Sequence, residues 1–355
     1  METTLAPMHW WTTTEKYILV TTLGVIIVFG VCGNVLVVIA IIRFKRLRRA
    51  VNSYLILNLA VSDFLTASIL MPFQLATVLD LNIIVDNGLL CKVGGILSYP
   101  FYICSTITLV MLAIERYIAV SDPLRYISRV TTRTITIMIV YCWTQGVVFV
   151  VLVSFSANIE FSTQSLDCGV AWEGTPLWLS ILVLLFNIVL PFFLLLIMSL
   201  RVLIIAIRQK KWIDTERFSI DRTRRKKSVF TGFEGKATVA VLVVIFVFLI
   251  LWIPFLITRG FMALTQIYVS PIVTTSVVWL LHLNSVVNVF IYTVRRSDYR
   301  RAFVSIIRCT SLSRSADIER TVTNIHEASS KELNLDRSSG TIQLNCTVTT
   351  IPEVT

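Results

Sequence analysis

The chain has 355 residues, of which 55% are hydrophobic and only 15% charged, and its net charge is +11. Such an apolar composition excludes an ordinary soluble domain. The basic residues lie in short segments between long apolar blocks, which is typical of a membrane topology and not of a nucleic-acid-binding surface.

Seven apolar blocks follow one another along the chain, and each is long enough to cross a bilayer, which takes about 20 residues. Helices are expected because lipid cannot satisfy exposed backbone groups, and the alternating period of a membrane β-barrel is absent. The sequence therefore predicts an all-α membrane protein, a seven-transmembrane helix bundle. We place the helices at 17–42, 52–79, 88–120, 132–157, 176–207, 236–262 and 268–292.

Lysine and arginine indicate the orientation of these helices. The segments after the first, third, fifth and seventh blocks are basic, whereas 158–175 contains no Lys or Arg. By the positive-inside rule, the N-terminal segment 1–16 is extracellular and the C-terminus is cytoplasmic. The first sixteen residues are polar, so no removable signal peptide is expected. We predict a multi-pass protein of the plasma membrane.

The chain changes character twice after the seventh block. The stretch 295–308 mixes basic and apolar residues, which predicts a short amphipathic eighth helix on the inner leaflet, and palmitoylation of Cys309 would add a second anchor. The remainder, 309–355, is rich in Ser and Thr, and we expect a disordered cytoplasmic tail open to phosphorylation. The transmembrane domain with its eighth helix thus covers 17–308.

Polar side chains inside the apolar blocks are candidates for function, because burying them in lipid is costly. Asp63 lies in the second block, where an isolated carboxylate would be unstable as an anion. Oxygen donors around it could hold Na⁺, or the site could hold a proton. A hydrogen-bonded packing network without an ion explains the same residues equally well. The other members of this candidate sodium site are Ser105, Asn284, Ser285 and Asn288.

A charged pair, Glu115 and Arg116, ends the third block, with Arg116 25 residues after Cys91. At a rise of about 1.5 Å per residue, a helix of 25 residues spans the thickness of a bilayer. Cys91 is therefore expected on the outside and Arg116 at the cytoplasmic edge. Glu115 can neutralise Arg116 within the helix, and Glu234 can do so from the sixth helix. The pair is either a bistable switch or a set of charges that merely snorkel to the interface. Pro254 favours a kink in the sixth helix.

These residues together resemble the rhodopsin-like (class A) G protein-coupled receptors over about residues 17–309. The family's motifs occur in the expected helices and in the expected order. They are Gly33–Asn34, "LAVSD" ending at Asp63, Cys91, "ERY" at 115–117, Trp143, Pro191, "WIP" at 252–254 and "NVFIY" at 288–292.

The resemblance implies a receptor that activates heterotrimeric G proteins, with receptor kinase and arrestin acting at the Ser/Thr-rich tail and lipid around the helices. It implies a disulfide between Cys91 and Cys168, and a sodium site around Asp63. It links the ligand pocket to sixth-helix movement through Trp252 and Phe248. The coupling residues that it implies are Glu115, Arg116, Tyr117, Glu234 and Tyr292.

Three positions depart from the family pattern. Val289 stands where the family usually has Pro, and Glu115 replaces the commoner Asp. Ser199 stands where the fifth helix usually has Tyr, which removes a hydroxyl that would partner Tyr292 in the active state. The resemblance therefore implies coupling to G proteins, and these departures bear on its efficiency.

Several stretches, among them "NLAVSDFLTASILMPF" and "ERYIAVSDPLRY", look like biogenic amine receptors. The position of the ammonium-binding aspartate of those receptors is Ser98 here, and a buried ammonium without a counter-ion is costly. A standard monoamine mode is thus not expected. Opsins use a seventh-helix lysine where this chain has His282, so covalent retinal is not expected either. A peptide or another non-amine ligand is the alternative to a small molecule.

The predicted ligand pocket is aromatic with a few polar handles, as small-molecule sites tend to be. Arg259 would suit an anionic or carbonyl-bearing ligand, or it would pair with Asp167 or Glu173. His282 is either a ligand contact or a hydrogen-bonded helix contact. The whole predicted set is Ser98, Tyr99, Tyr102, Asn187, Trp252, Phe255, Arg259, Trp279 and His282.

A transporter or channel is a rival function, but the internal repeats common in transporters are not evident. An enzyme is a further rival, but the three histidines show neither a metal-ligand cluster nor a Ser-His-Asp arrangement. We therefore expect a protein that is not an enzyme, with no metal beyond the proposed Na⁺ and no nucleic-acid partner.

Overall fold

The computed structural model of the chain describes residues 11–79, 88–162, 166–171, 175–219, 233–265 and 269–308, with the backbone alone at 209–219, 233–237 and 263–264. Seven helices within these ranges are long and apolar enough to cross a membrane. The prediction of an all-α seven-transmembrane bundle is confirmed. We call these spans the first to seventh helices: Thr13–Arg43, Ser53–Val78, Gly88–Ser121, Thr132–Ser156, Leu177–Arg208, Thr238–Met262 and Pro271–Arg295.

Shorter elements join or extend the spans. A four-residue helix, Lys45–Arg48, follows the first helix, and a loop helix, Pro123–Arg129, follows the third. The backbone of the fifth helix continues to Ser219, and that of the sixth runs from Phe233 to Thr265. A further helix, Ser297–Ile307, occupies the predicted place of the amphipathic helix, while its contact with a lipid surface stays a prediction.

The first helix begins four residues earlier than predicted because its polar start is capped. The Thr12 hydroxyl accepts a hydrogen bond from the Glu15 backbone N–H at 3.2 Å, and the Glu15 carboxylate accepts one from the Thr12 N–H at 2.8 Å. This reciprocal arrangement satisfies backbone donors that a helix start leaves free. The helix therefore extends beyond the apolar block that predicted it.

Two spans contain a wide π-helical turn, and in each case a proline follows it. The second helix has this turn at Thr66–Leu70, before Pro72, and the fifth has it at Leu185–Val189, before Pro191. Proline lacks the N–H for an ordinary helical bond and its ring crowds the preceding turn. The wider turn accommodates that loss and changes which side chains face the interior beyond it.

A β-hairpin is fastened to the third helix by the disulfide. Strands Ile159–Ser162 and Asp167–Val170 pair antiparallel, with Phe161 opposite Cys168. Cys168 is bonded to Cys91 at a Cα–Cα distance of 5.4 Å, which confirms the disulfide. Gly95 lets the hairpin approach closely, because a Cβ there would lie 3.1 Å from the Cys168 carbonyl oxygen.

Burial identifies the third helix as the centre of the bundle. In its most apolar stretch 67% of the residues are buried, against 22% in the fourth helix and 17% in the fifth. Large apolar side chains of the outer helices are instead exposed, for example Phe155, Phe193 and Ile250. Exposed apolar surface of this extent fits a lipid-facing perimeter, so the functional residues are sought on the inner faces.

Candidate functional site

The predicted sodium-site residues meet around Asp63, between the second, third and seventh helices. The Ser105 hydroxyl donates to one carboxylate oxygen at 3.2 Å, and Asn288 Nδ2 donates to the other at 2.8 Å. The Ser285 side chain lies within hydrogen-bonding reach of the same carboxylate. Asn284 is buried, but its side chain has no hydrogen bond to Asp63 in the described part of the chain. Four of the five predicted residues thus form one cluster.

The first helix is tied to this cluster through Asn34. Its amide nitrogen donates to the backbone carbonyl of Gly30 at 2.8 Å and to that of Ser285 at 2.9 Å. Asn34 is 1% exposed, so both donor hydrogens are used inside the protein. The amide fixes the seventh helix beside the first at the level of the Asp63 cluster.

A second buried network centres on Asn58, a residue that the sequence analysis did not single out. Asn58 Oδ1 accepts a hydrogen bond from the Trp143 indole at 2.9 Å, and its amide nitrogen donates to the Thr108 hydroxyl at 2.7 Å. One amide therefore joins the second, third and fourth helices. The sequence could have indicated Asn58, because it is an asparagine inside the apolar run "LILNLAV" and an unpaired amide in lipid is costly.

His282 lies at the centre of a third polar chain, nearer the disulfide end. Its Nδ1 is 2.9 Å from the Tyr102 hydroxyl, and its Nε2 is hydrogen-bonded to the Gln74 side chain. The rings of Tyr102 and His282 stack with their centroids 6.2 Å apart. His282 is 1% exposed. The structure thus brings two predicted pocket residues together and adds Gln74, which was indicated only by being polar within an apolar block.

A column of aromatic rings connects the fifth and sixth helices. Phe192 lies 5.8 Å from Phe248 and 6.1 Å from Trp252, measured between ring centroids. Trp252 lies 5.3 Å from Phe248 and 6.0 Å from Phe255. Contacts of this kind stabilise beyond their burial of area and depend on ring orientation. Two of the predicted pocket aromatics, Trp252 and Phe255, are therefore part of one packed unit.

Arg259 lies one helical turn beyond this column, towards the disulfide end. Its guanidinium carbon is 5.6 Å from the Phe255 ring centroid. The described salt bridges do not include one between Arg259 and Asp167, and Glu173 lies outside the described residues. A charged, exposed head beside aromatic rings suits recognition of an anionic or carbonyl group.

Three other predicted pocket residues make contacts within or between helices. The Ser98 hydroxyl donates to the Gly95 carbonyl at 2.7 Å. Asn187 accepts a hydrogen bond from the Gln145 amide at 3.3 Å, so it faces the fourth helix. Trp279 packs in a buried cluster of the first, second and seventh helices, beside Met71. The structure does not bring these three side chains together with the aromatic column, and their contact with a ligand stays a prediction.

The charged pair lies at the other end of the third helix. Arg116 donates through Nε and Nη2 to the Glu115 carboxylate, and the Tyr126 hydroxyl also donates to Glu115. Glu115 is 0% exposed and Arg116 2%. Tyr126 lies on the loop helix Pro123–Arg129, and it was not among the predicted residues. The charged pair is thus buried inside the protein. This burial differs from the alternative in which both charges snorkel to the membrane interface.

The remaining predicted switch residues surround that end. Tyr117 packs against a buried cluster of Val120, Val202 and Leu242. Tyr292 is buried and its ring lies 5.6 Å from the Tyr299 ring. Burial raises the pKa of Tyr299 to about 12, so its phenol is protonated at neutral pH. Glu234 lies in the sixth helix, but its side chain is outside the described part of the structure.

Several buried hydroxyls at this end have no hydrogen-bond partner within the described residues. The Ser199 Oγ and the Tyr292 hydroxyl are among them. A buried unpaired hydroxyl costs about 1–3 kcal/mol. In this conformation, then, the hydroxyl of Tyr292 is not bonded to the fifth helix at position 199. The palmitoylation site predicted at Cys309 and the tail 310–355 lie outside the described residues.

This arrangement is that of a multi-pass membrane protein with polar clusters along its axis, and comparison with known proteins assigns its family. Residues 33–292 match the family described as 7 transmembrane receptor (rhodopsin family). The chain belongs to this family and is a G protein-coupled receptor. The interpretation that it is a receptor and not an enzyme is confirmed by its relatives.

The relatives agree with the amine-receptor style of the motifs. Trace amine-associated receptor 365 of Petromyzon marinus is 27% identical over 300 residues, covering 82% of this chain and 80% of its own. Trace amine-associated receptor 7d of Mus musculus is 28% identical, covering 82% of each chain. The D(1A) dopamine receptor of Xenopus laevis is 27% identical, covering 82% of this chain and 72% of its own.

Proposed function

We propose that this receptor binds a small extracellular ligand and in response activates heterotrimeric G proteins through movement of the sixth helix. The observation that carries the proposal is the enclosed pair of Glu115 and Arg116. A guanidinium buried against its own neighbour is withheld from any cytoplasmic partner. Release of that group provides a physical difference between an inactive and an active state.

We call the buried Glu115–Arg116 pair the lock. The free energy needed to break the lock sets the difference in binding free energy that a ligand must supply. Breaking a buried ion pair costs about 3–5 kcal/mol, because it leaves an uncompensated charge. A ligand shifts the balance only by the difference between its affinities for the two states. Moving a population from 1:99 to 99:1 takes a difference of about 10⁴-fold. A receptor held by Arg116 is therefore expected to have low basal activity.

The third helix provides the physical connection between the ligand end and the lock. Tyr102 and Arg116 are 14 residues apart, which corresponds to about 21 Å along the helix axis. The aromatic column that includes Phe192, Phe248 and Trp252 lies on the fifth and sixth helices, which both pack against the third helix. A ligand that moves Trp252 would turn the sixth helix about Pro254, where the helix lacks one hydrogen bond.

The ligand class follows from the charges near the predicted pocket. The relatives are named for trace amines and dopamine, yet Ser98 occupies the position of the amine-binding aspartate and bonds to its own helix. Arg259 offers a cationic donor instead. We therefore favour a non-amine ligand with a carboxylate or carbonyl group that accepts hydrogen bonds.

The proposed Na⁺ would bind at the Asp63 cluster. Asp63, Ser105, Ser285 and Asn288 supply the carboxylate, hydroxyl and amide oxygens that a small hard cation prefers. The cation would neutralise a carboxylate that lipid-like surroundings disfavour. The donors from Ser105 and Asn288 orient the carboxylate, and they equally suit the packing-network alternative.

Localisation to the plasma membrane with the amino end outside agrees with the basic loops and with the disulfide-bonded hairpin. Disulfides persist in oxidising surroundings, so the end that carries Cys91 and Cys168 is assigned to the extracellular side. Arg116, at the other end of the same helix, then faces the cytoplasm. Receptor kinase and arrestin are proposed partners of the tail.

Guanine-nucleotide exchange measures this function directly. The purified receptor in lipid nanodiscs is combined with several classes of heterotrimeric G protein and a screen of carboxylate-, carbonyl- and amine-bearing ligands. We expect at least one class to show ligand-stimulated exchange that Arg116→Gln abolishes without loss of ligand binding. Exchange unaffected by every receptor–ligand combination, with measurable solute flux through the protein in liposomes, would reject the receptor mechanism.

A further inference from the structure

The hydrogen bonds among Gln74, His282 and Tyr102 form a chain across the second, seventh and third helices, and this chain has a direction. Gln74 presents its amide oxygen to Nε2 of His282, and the Tyr102 hydroxyl lies 2.9 Å from Nδ1. His282 is 1% exposed and Gln74 6%, so bulk water does not compete for these bonds. The bonds are therefore made with the hydrogens that the three side chains themselves carry.

The donor and acceptor in each bond follow from the chemistry of the His282 ring. An imidazolium would place a charge between two neutral partners in a buried site, which is costly, so the neutral ring is favoured. A neutral imidazole has one donor nitrogen and one acceptor nitrogen. An amide oxygen can only accept, so the ring hydrogen lies on Nε2 and points to Gln74. Nδ1 is then the acceptor, and the Tyr102 hydroxyl donates to it.

The opposite tautomer of His282 is disfavoured by its neighbour on the second helix. With the hydrogen on Nδ1, the bare Nε2 would face the amide oxygen of Gln74, which sets two acceptors against each other inside the protein. Buried acceptors without a donor lose the free energy of their hydrogen bonds to water. Gln74 therefore selects the tautomer, and through it the direction of the bond to Tyr102.

The packing of the third and seventh helices holds Tyr102 and His282 in this arrangement. Their rings stack with an interplanar angle of 20°. Tyr102 precedes Ser105 by three residues, and His282 precedes Ser285 by three, and both serines belong to the Asp63 cluster. Residues three apart share a helix face, so the chain lies one turn from a cluster that already joins these two helices.

We propose that Gln74, acting through His282, makes the Tyr102 oxygen a hydrogen-bond acceptor, and that the ligand of this receptor carries a hydroxyl or amide N–H that donates to it. The hydrogen of the phenol is used on His282, whereas its oxygen keeps lone pairs. Tyr102 is the partly exposed member of the chain, so it is the member that a ligand can reach. Gln74 and His282 are positioning residues.

The inference rests on the proposed small-ligand function and narrows the ligand class. Arg259 was assigned a carboxylate or carbonyl group, which accepts hydrogen bonds. Tyr102 adds the opposite requirement, a neutral donor elsewhere on the same molecule. A ligand that offered a second acceptor to Tyr102 would set two lone pairs against each other, and the site would reject it.

The tautomer of His282 can be measured without a ligand or a G protein. The chain has three histidines, so His9→Gln/His326→Gln leaves His282 as the one ring that carries a ¹⁵N label. Solid-state NMR of this receptor in lipid bilayers distinguishes a protonated Nε2 from a protonated Nδ1. We expect the hydrogen on Nε2 in this background, and a mixture of tautomers when Gln74→Leu is added.

Gln145→Leu is the matched control, because the Gln145 amide bonds to Asn187 on the fifth helix and not to His282. It should keep the tautomer of the background receptor. A hydrogen on Nδ1 in the background receptor, a doubly protonated ring, or equal changes in the two glutamine variants would overturn the proposal. If Gln74→Leu does not fold, the background spectrum decides alone, since a protonated Nε2 supports the chain and a protonated Nδ1 reverses it.

The ligand class is tested with two aromatic carboxylates that differ in one donor, 4-hydroxyphenylacetate and 4-methoxyphenylacetate. Equilibrium binding to the receptor in nanodiscs is compared. We expect the hydroxy compound to bind about tenfold more tightly, as one hydrogen bond to an otherwise bare acceptor allows. Tyr102→Phe should make the two affinities equal, whereas Tyr141→Phe, on an exposed face of the fourth helix, should keep the difference.

Equal affinities in the wild type, or no binding of either compound, would overturn the ligand class. Neither measurement requires signalling, so the two proposals fail separately. Absence of G protein activation together with a protonated Nε2 and a preference for the hydroxy compound would reject the signalling function alone and support the inference about Tyr102.

Discussion

The hydroxyl of Tyr126 donates a hydrogen bond to the carboxylate of Glu115, which is at the same time the partner of Arg116. The charged lock is thus held by a residue of the loop helix Pro123–Arg129 as well as by its own helix. A carboxylate oriented by two donors is harder to separate from the guanidinium than one held by a single donor. In the proposed switch, the loop helix therefore contributes to holding the inactive state.

Tyr126→Phe is expected to raise basal signalling. The change removes one hydrogen bond to an ionised group, worth about 1.5–3 kcal/mol, while it keeps the ring. The inactive state loses this bond, so basal nucleotide exchange should rise by about 10- to 100-fold, since each 1.4 kcal/mol is about a factor of ten. The measurement is exchange per receptor at the cell surface. Tyr141→Phe, on an exposed face of the fourth helix, is the control; a basal rate equal in the two variants contradicts the role of Tyr126.

Glu234→Ala tests the second proposed partner of Arg116. If Glu234 neutralises Arg116 across helices, its removal should also increase basal exchange, by a smaller factor, since Glu115 still encloses the guanidinium. The double variant with Tyr126→Phe distinguishes the two contributions. An increase larger than the product of the single effects indicates that both act on the same lock. An unchanged basal rate in well-expressed Glu234→Ala removes Glu234 from the lock.

Asp63→Asn tests the sodium site against the packing network. An amide is nearly isosteric with the carboxylate but carries no charge to hold a cation. If Na⁺ binds there and favours the inactive state, ligand affinity in the wild type should fall as NaCl replaces a bulky organic cation, and the variant should show no such fall. Ser68→Ala, in the same helix as Asp63, is a control, because the Ser68 hydroxyl donates to the Phe64 backbone carbonyl and not to Asp63. Sodium dependence that persists in Asp63→Asn would move the ion elsewhere.

Gly146→Ala should destabilise the packing of the third and fourth helices. A Cβ at this position would lie 2.9 Å from the Pro100 Cα, a backbone atom that cannot rotate away. Overpacking of this kind costs about 1–3 kcal/mol. The thermal midpoint of the detergent-solubilised receptor should therefore fall. Gly24→Ala is the matched control, because a Cβ there would have no neighbour within 4 Å; equal midpoints for both variants would contradict the close approach.

The sequence predicted the spans well because their signal, a long apolar run, is local. It also predicted the Asp63 cluster and the charged pair, since polar residues in lipid are conspicuous. It missed Tyr126 and Gln74, whose importance arises from side chains on other helices that meet them in space. Trp279 and Asn187 illustrate the opposite case: the helix was predicted correctly, but the direction of each side chain depends on helix rotation, which the π turns alter in the fifth helix.

Ser199→Tyr is expected to strengthen activation by restoring a hydroxyl that the resemblance implies as a partner of Tyr292. Both the Ser199 and the Tyr292 hydroxyls are buried without partners in the described part of the structure, and burial of such groups is costly. A tyrosine reaches further than serine, so a bond formed only in the active state would favour that state. Ligand-stimulated exchange should rise about fivefold, as one hydrogen bond of about 1 kcal/mol allows.

Ser199→Phe separates the hydroxyl from the added volume. It introduces the same ring into a fully buried position, so any loss of expression through overpacking should appear in both variants. Only Ser199→Tyr should increase exchange, and Tyr292→Phe in the same chain should cancel the increase. If Ser199→Phe activates as strongly as Ser199→Tyr, ring volume and not hydrogen bonding controls the switch, and the role assigned to the Tyr292 hydroxyl is wrong.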